Sequence, residues 1–210
     1  DKNGNFLECS PDDMHRRLAK EFARIEKKYP NPLSEKEIYS LFKGFKKIIP
    51  QGSPMSGIGN TNQIQSISNC FVIDNPQDSY GGILLTDQEL VQIAKRRGGI
   101  GFDVSSLRPK GEVTANAART TDGIEIFMER FSNSTREVAQ GGRRGALMLT
   151  ISVHHPQIRD FIKIKRDLTK VTGANISIRL SDEFMNAVKN KEEVQLRWPV
   201  DSNDPKVTAT

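Results

Sequence analysis

Short apolar segments alternate with helical segments through the second half of the chain, and this alternation constrains the fold more than any other feature of the sequence. Four segments have the length and residue types of buried strands: 100–104, 146–153, 175–180 and 194–198. Segments with helical spacing of apolar residues lie between them: 124–136, 156–165 and 181–190. Strands separated by helices of about 10 to 15 residues are typical of a mostly parallel sheet with crossover helices, so the sequence predicts an α/β fold.

Capping patterns mark the beginnings of three more helices. Ser10 precedes Pro11 and two acidic residues, and segments 34–37 and 86–89 are capping boxes, each a hydroxyl residue followed three positions later by glutamate. These helices are predicted to end near residues 28, 47 and 97, with His15 on the exposed side of the first. The chain is therefore divided into three parts: a helical N-terminal region (1–49), an α/β domain (50–200) and a polar tail (201–210).

A polar segment rich in glycine, serine and asparagine, residues 51–69, precedes the one cysteine of the α/β domain. Loops of this length are usually functional or mobile. Cys70 then begins a short apolar segment, 70–73, which is predicted as a buried strand. On residue type alone, a cysteine at the start of such a strand is more often a buried and inert thiol than a reactive one.

Composition narrows the class of protein. A net charge of +5, from 31 basic and 26 acidic residues, is spread over helices among acidic residues and fits either a solvated surface or a polyanionic ligand. Two cysteines are too few for a disulfide scaffold or a zinc site and favour the reducing cytoplasm. We expect no membrane span and no metal site, because the sequence has no apolar segment of sufficient length and no carboxylate spaced to its paired histidines as a metal ligand. The few tryptophans and tyrosines argue against a DNA- or RNA-binding domain.

Three loops combine glycine with basic residues: 96–101, 107–111 and 140–146. Glycine lets a ligand approach the backbone, and arginine and lysine bind phosphate. Taken singly, the loops have simpler explanations, namely a tight turn, an exposed basic turn and a flexible loop. Parallel α/β sheets bind ligands at the carboxyl ends of their strands. The second loop follows a predicted strand, the third lies between a helix and the strand after it, and together the three loops favour a phosphate-rich ligand. His154 and His155, just before Pro156, are predicted to cap a helix.

Six segments occur in the order found in the large, catalytic subunits of ribonucleotide reductases. They are SNCFV (68–72), DSY (78–80), RGGIGF (97–102), LRPKG (107–111), QGGRRGA (140–146) and ANISI (174–178). The chain resembles this family from about residue 50 to residue 199. The resemblance implies the first half of a ten-stranded α/β barrel, preceded by a small helical region. It also implies the family's reaction, in which thiyl-radical chemistry replaces the ribose 2′-hydroxyl of a ribonucleotide with hydrogen and so supplies deoxyribonucleotides for DNA replication.

The resemblance implies a redox role for Cys70, as one of two thiols that supply electrons and end as a disulfide. Six further residues resemble the lining of the substrate pocket: Ser53, Ser68, Asn69, Gly98, Gly99 and Ala146. Of these, Ser53 resembles the hydroxyl residue that contacts substrate phosphate.

The resemblance also implies a site for a dNTP or ATP effector that controls which substrate is reduced. Its expected residues are Asp78, Ser79, Tyr80, Arg108, Lys110 and Arg119. Asp78 resembles the carboxylate that holds the sugar hydroxyl of the effector, and Arg108 resembles a ligand of its phosphates. Ala115 stands where the class with a separate radical-generating subunit often has a second arginine, so Lys110 or Arg119 is expected to replace it.

The resemblance further implies a second specificity loop, which relays the identity of the effector to the substrate pocket. It is expected in the third glycine-rich segment, between the predicted helix 124–136 and the predicted strand 146–153. Its residues are Gln140, Gly141, Gly142, Arg143, Arg144 and Gly145.

The family's radical cysteine, its neighbouring Asn and Glu, and the second redox cysteine have no match in this sequence. The resemblance therefore implies that the chain is inactive alone and works with the C-terminal half of the catalytic subunit. It further implies a ribonucleotide substrate, either di- or triphosphate, a thioredoxin-like reductant, and a homodimer of the assembled enzyme. LRPKG and GRRGA resemble the adenosylcobalamin-dependent class more than the class with a diiron subunit. The alternative is a non-catalytic nucleotide-binding regulatory module.

Overall fold

The computed structural model describes residues 3–138 and 145–209. It divides the chain into two compact units. The first, here called the helical unit, contains the chain up to Asn69 together with Arg96–Gly98, so it continues beyond residue 49, the end predicted from the sequence. The second, here called the sheet unit, contains Cys70–Lys95 and the chain from Gly99 onward.

The helical unit is built from the helices that the capping patterns predicted, with one addition. Its elements are α1 (Pro11–Glu26), α2 (Glu35–Phe42) followed by a 3-10 turn (Lys43–Phe45), and α3 (Gly52–Gly57). Ser10 and Ser34 cap α1 and α2 through complete capping boxes, as predicted. The addition is α3, which lies inside the polar segment interpreted as a loop.

The prediction that His15 lies on the exposed side of α1 is wrong. The side chain is buried, with 2% of its surface exposed. It lies one turn before the buried Leu18 and Ala19, so the apolar face of α1 is wider than the sequence pattern indicated. Its ring packs edge-on against Phe45, with the ring centres 4.6 Å apart.

The sheet unit has the α/β architecture that the alternation predicted. Its parallel strands, in the order β1-β2-β3-β4, are β1 (Cys70–Val72), β2 (Gly99–Asp103), β3 (Leu147–Ser152) and β4 (Asn175–Arg179). Its helices are α4 (Tyr80–Ala94), α5 (Ile124–Glu137), α6 (Ile158–Lys163), extended by a 3-10 turn (Ile164–Arg166), and α7 (Asp182–Asn190). No helix among the described residues combines the length and the apolar character needed to cross a membrane.

Two elements differ from the predictions. β5 (Leu196–Trp198) does not join the parallel sheet; it pairs antiparallel with β6 (Val207–Ala209), which lies in the segment interpreted as a polar tail. α4 begins at Tyr80, six residues before the predicted capping box at Thr86, because the side chain of Ser79 accepts a hydrogen bond from the amide of Gly82 and caps the helix there. Thr86 itself is buried in the middle of α4.

The two faces of the parallel sheet differ sharply. Alternate residues of neighbouring strands, such as Phe102 and Leu149, face the core beneath the helices. Several of the intervening positions are exposed, among them Met148 on β3 and Cys70 and Val72 on β1, the last by 91%. The prediction of a strand at 70–73 is thus correct, whereas its burial and the buried-thiol interpretation of Cys70 are wrong. A parallel sheet covered by helices on one face and open on the other is the arrangement of half an α/β barrel, as predicted.

Candidate functional site

A cavity of about 400 Å³ lies at the carboxyl end of the parallel sheet. The connections that follow β1 and β2 form it, with the beginnings of α4 and α5. Its lining consists of Asp78, Ser79, Tyr80, Ile83, Arg108, Thr114, Ala115, Asn116, Ala118, Thr120, Thr121, Asp122, Gly123, Ile126 and Phe127. This volume falls within the range of small-molecule sites, and the location is the one expected for a ligand of a parallel α/β sheet.

An ion pair between Asp78 and Arg108 joins the two connections inside the cavity. The Arg108 Nε atom donates to one carboxylate oxygen at 2.7 Å, and the Arg108 backbone N–H donates to the other at 3.0 Å. A second guanidinium nitrogen, Nη1, donates to the backbone oxygen of Val113. Since both partners are partly buried and each carboxylate oxygen is engaged, the pair holds the guanidinium group in a defined position.

The amino end of α4 forms the opposite wall of the cavity. The hydroxyl of Ser79 accepts from the Gly82 amide at 3.0 Å and caps the helix. Gly82 must lack a side chain, because a Cβ atom there would lie 2.5 Å from Cβ of Gln77 and 2.7 Å from its backbone oxygen. Tyr80, exposed to 65%, packs edge-on against Phe127 with ring centres 6.0 Å apart. The wall therefore offers an aromatic surface beside the ion pair.

Lys110 and Arg119 lie on the loop that borders the cavity, but neither is among the described residues that line it. Both are exposed. Arg108 is the one cationic side chain in the described lining, and it shares the cavity with the carboxylates of Asp78 and Asp122. The structure thus brings Asp78, Ser79, Tyr80 and Arg108 together, while the two other predicted phosphate ligands lie outside the cavity lining.

The predicted substrate residues of the sheet unit lie at the opposite end of the sheet. Cys70 and Gly99 begin β1 and β2 and are direct neighbours in the register of these strands. Ala146 immediately precedes β3 and accepts a hydrogen bond from the amide of Ile100 at 2.9 Å. Of the three glycine-rich loops, 107–111 follows β2, whereas 96–101 and 140–146 lead into β2 and β3 and so lie at the amino end of the sheet.

The other predicted substrate residues belong to the helical unit, where two of them are in contact. The Ser53 amide donates to the Asn69 side-chain oxygen at 2.8 Å, and the Asn69 side-chain nitrogen donates to Gln51 at 2.7 Å. The Ser53 hydroxyl is buried and has no hydrogen-bond partner among the described residues. Ser68 is exposed and Gly98 is buried in the same unit.

Five of the six residues of the predicted second specificity loop lie outside the described residues. These are Gln140, Gly141, Gly142, Arg143 and Arg144. Gly145, the last residue of the loop, is described and is partly buried just before Ala146.

Two buried residues that the sequence analysis did not assign to the site hold the border of the cavity. His155 Nε2 lies 2.9 Å from the backbone oxygen of Leu107, and the Gln157 side-chain oxygen accepts from the amides of Lys110 and Ile124 at 2.9 and 3.1 Å. Burial lowers the pKa of His155, opposed by its hydrogen bond to Leu107. The interpretation of the histidine pair as a helix cap is wrong, since Gln157 occupies the N-cap position of α6. The sequence feature that could have indicated His155 and Gln157 is the presence of polar residues shortly after the apolar strand β3.

Comparison with known proteins agrees with this architecture. A protein-family model described as "Ribonucleotide reductase, barrel domain" matches residues 68–209. A vitamin B12-dependent ribonucleoside-diphosphate reductase of Thermoplasma acidophilum is 33% identical over 153 residues, covering 72% of this chain and 20% of the relative.

Relatives of two other kinds of organism give the same result. A protein of the same name from Mycobacterium tuberculosis is 32% identical over 125 residues, covering 59% of this chain and 18% of the relative. A ribonucleoside-diphosphate reductase large chain of Neurospora crassa is 29% identical over 159 residues, covering 73% and 17% respectively. The chain spans about a fifth of the length of these curated relatives. With the family model matching well over half of its residues, the chain belongs to the ribonucleotide reductase barrel-domain family.

Proposed function

We propose that this chain forms the effector-binding half of the catalytic barrel of a ribonucleotide reductase. The observation that carries the proposal is the presence of two features on one parallel sheet. A cavity at the carboxyl end contains the Asp78–Arg108 pair, and an exposed thiol, Cys70, lies at the amino end beside Gly99. A carboxylate, a guanidinium group and an aromatic wall suit a nucleotide, and an accessible thiol suits a reductant.

In the proposed reaction, the 2′ carbon–oxygen bond of a ribonucleotide is replaced by a carbon–hydrogen bond, and the hydroxyl group leaves as water. Two electrons and two protons come from two thiols, which become one disulfide. Cys70 is proposed as one of these thiols. The second thiol and the radical-forming cysteine are proposed to come from the C-terminal half of the subunit, and a thioredoxin-like protein to reduce the disulfide again.

The substrate is proposed to be a ribonucleoside diphosphate, since the names of the relatives from three organisms specify diphosphates. Ser53, Ser68, Asn69, Gly98, Gly99 and Ala146 are each proposed to contribute to substrate binding. The buried hydroxyl of Ser53, which has no hydrogen-bond partner among the described residues, supports a phosphate contact, because a buried polar group without a partner is costly to maintain.

The carboxyl-end cavity is proposed to bind a dNTP or ATP effector. Each oxygen of Asp78 accepts one hydrogen bond from Arg108 and keeps further acceptor capacity for a sugar hydroxyl. Arg108 is proposed to bind phosphate, and Ser79 and Tyr80 to contact the nucleoside. Because the described lining has a single cation for the phosphates, Lys110 and Arg119 are proposed to contribute from the border loop. The second specificity loop is proposed to relay the effector's identity.

Adenosylcobalamin is proposed as the radical-generating cofactor of the assembled enzyme, on the strength of the names of the B12-dependent relatives. The described residues of the sheet unit do not fit a corrin: the cavity at its carboxyl end has about 400 Å³ and the composition of a nucleotide site.

The assembled enzyme is also proposed to be a cytoplasmic homodimer. The exposed leucines Leu84 and Leu85 on α4, next to the effector cavity, supply an apolar surface suitable for a symmetric contact.

The test is reduction of a ribonucleoside diphosphate by this chain combined with the C-terminal half of the subunit, with and without adenosylcobalamin. We expect cobalamin-dependent multiple turnover with a thioredoxin system. Cys70→Ser should abolish multiple turnover, and Cys9→Ser, which changes the other exposed cysteine, should preserve it. Equal multiple turnover by Cys70→Ser would remove Cys70 from the reaction.

A non-catalytic nucleotide-binding regulatory module is the second candidate. It is favoured by one observation: the described effector cavity is enclosed by residues of the sheet unit alone. Nucleotide binding without reduction in the combined protein would favour this candidate.

A further inference from the structure

Residues 110–123 form one border of the cavity. Few hydrogen bonds within this segment stabilise it. It is a hairpin with backbone hydrogen bonds from the Gly111 amide to the Thr121 oxygen at 2.9 Å and from the Thr121 amide to the Glu112 oxygen at 3.1 Å. Most of its residues are exposed. An isolated two-stranded hairpin is at best marginally stable in water, so contacts with the rest of the sheet unit must fix its position.

One side-chain atom joins the two ends of this hairpin. The Oε1 atom of Gln157 accepts hydrogen bonds from the Lys110 amide at 2.9 Å and from the Ile124 amide at 3.1 Å. Lys110 is the first residue of the hairpin, and Ile124, just after it, begins α5. Gln157 is only 5% exposed. Its loss would leave two amides without their acceptor at the base of the hairpin.

His155 supports the same junction from the neighbouring turn. Its Nδ1 atom accepts from the Gln157 amide at 3.1 Å, so the ring proton lies on Nε2, which donates to the Leu107 oxygen at 2.9 Å. The ring is fully buried. Leu107 directly precedes Arg108, and the ring therefore fixes the segment that carries the cationic side chain of the cavity.

Gly123 shows how closely the junction is packed. Its φ of +81° favours glycine. A Cβ atom there would overlap the Oε1 atom of Gln157 and would lie 2.8 Å from the amide nitrogen of Lys110. The Gln157 oxygen thus fills the space in which a side chain at position 123 would stand.

We propose that Gln157 and His155 are positioning residues for the nucleotide cavity, which fix the hairpin 110–123 and the segment of Arg108 so that the cavity is formed before a nucleotide binds. This inference rests on the proposed effector function of the cavity. It assigns a role to the segment after β3, whose side chains do not line the cavity. Preorganisation of this kind raises affinity because binding does not have to order the loop.

The experiment compares Gln157→Met, which keeps the length of the side chain and removes the acceptor, with Val171→Ala as a matched control. Val171 is fully buried in the core of the sheet unit, and its amide is bonded to Glu129, away from the hairpin. Both variants are expected to lower the melting temperature. Amide hydrogen exchange at Gly111 and Thr121 is measured without nucleotide, and dTTP affinity is measured by calorimetry, both on the full 210-residue chain.

We expect Gln157→Met to accelerate exchange in the hairpin and to weaken dTTP binding, each by at least about 10-fold, or about 1.4 kcal/mol, which lies within the combined net worth of the two lost hydrogen bonds at about 0.5–1.5 kcal/mol each. Val171→Ala should do neither. Unchanged hairpin exchange in Gln157→Met, or faster exchange with unchanged affinity, would overturn the inference. If the wild-type chain bound no nucleotide while Gln157→Met still loosened the hairpin, the effector function would fail and the anchoring of the hairpin would stand.

Discussion

The two ends of the parallel sheet are built differently. At the carboxyl end, Asp78 and Arg108 are hydrogen-bonded to each other and to the loop around them, and the described lining of the cavity comes from one compact unit. At the amino end, Cys70 is exposed beside Gly99. Strands of about five residues separate the two ends by roughly 15 Å.

The two ends of the sheet differ in how complete the proposed site is within this chain. The carboxyl end has donors, acceptors and an aromatic wall held by local hydrogen bonds, as a preorganised binding site requires. The amino end has one exposed thiol, Cys70, and the proposed two-electron reduction with a disulfide product requires a second. We therefore expect nucleotide binding at the carboxyl end to be a property of this chain, and reduction at the amino end to require the other half of the subunit.

The largest effect is expected from Asp78→Ala. It removes the acceptor proposed for the sugar hydroxyl and frees Arg108 from its partner, so dNTP affinity should fall about 10- to 100-fold, as for hydrogen bonds to a charged group worth roughly 1.5–3 kcal/mol. Calorimetry measures the affinity, with Asp160→Ala on the exposed surface of α6 as the control. The rate at which Cys70 reacts with a thiol reagent should not change. Wild-type affinity in Asp78→Ala would remove this carboxylate from the site.

A smaller effect is expected from Gly82→Ala, which tests how closely the cavity wall is packed. The new methyl group would meet Gln77 at 2.5 Å, and relief of such a clash typically costs about 1–3 kcal/mol of unfolding free energy. Gly81→Ala is the matched control, because its Cβ atom would meet only the Ser79 hydroxyl, at 3.9 Å. Thermal unfolding should show a lower melting temperature for Gly82→Ala alone. Equal melting temperatures would show that the turn before α4 is not tightly packed.

The smallest effect is the pH dependence that His155 gives to stability. Burial lowers its pKa in the folded chain, with its bond to Leu107 and the nearby carboxylate of Asp103 acting in the opposite direction. Below about pH 6.5 the unfolded chain therefore binds a proton that the folded chain does not. Stability should be full above that pH and fall on acidification, by at most about 1.4 kcal/mol per pH unit. Melting temperatures between about pH 5 and 7.5 test this, and His155→Gln should flatten the slope. If the melting temperature depended on pH equally in the wild-type chain and in His155→Gln, His155 would not be the neutral, buried group described here.

Much of the fold could be predicted from local patterns. The capping boxes at Ser10 and Ser34 and the apolar periodicity of α5 depend on residues close in sequence, and these elements lie where the patterns place them. The start of α4 was missed because two capping signals compete, and Ser79 rather than Thr86 caps the helix. β6 was missed because its pairing with β5 is a contact between distant residues of a polar segment.

The candidate site was predictable only in part. The resemblance to a known family indicated Asp78 and Arg108, which the structure places in one cavity. It did not indicate His155 or Gln157, because their contacts with Leu107 and Lys110 span more than forty positions in the sequence. Exposure of Cys70 was also not predictable from its apolar neighbours, since alternate residues of a strand face opposite sides of the sheet.

Amide hydrogen exchange of this chain with and without dTTP tests the central comparison most directly. We predict slower exchange at residues 78–83 and 108–123, around the carboxyl-end cavity, and unchanged exchange at residues 70–72 and 99–101. Protection confined to the amino end, or no protection at either end at saturating dTTP, would contradict the account.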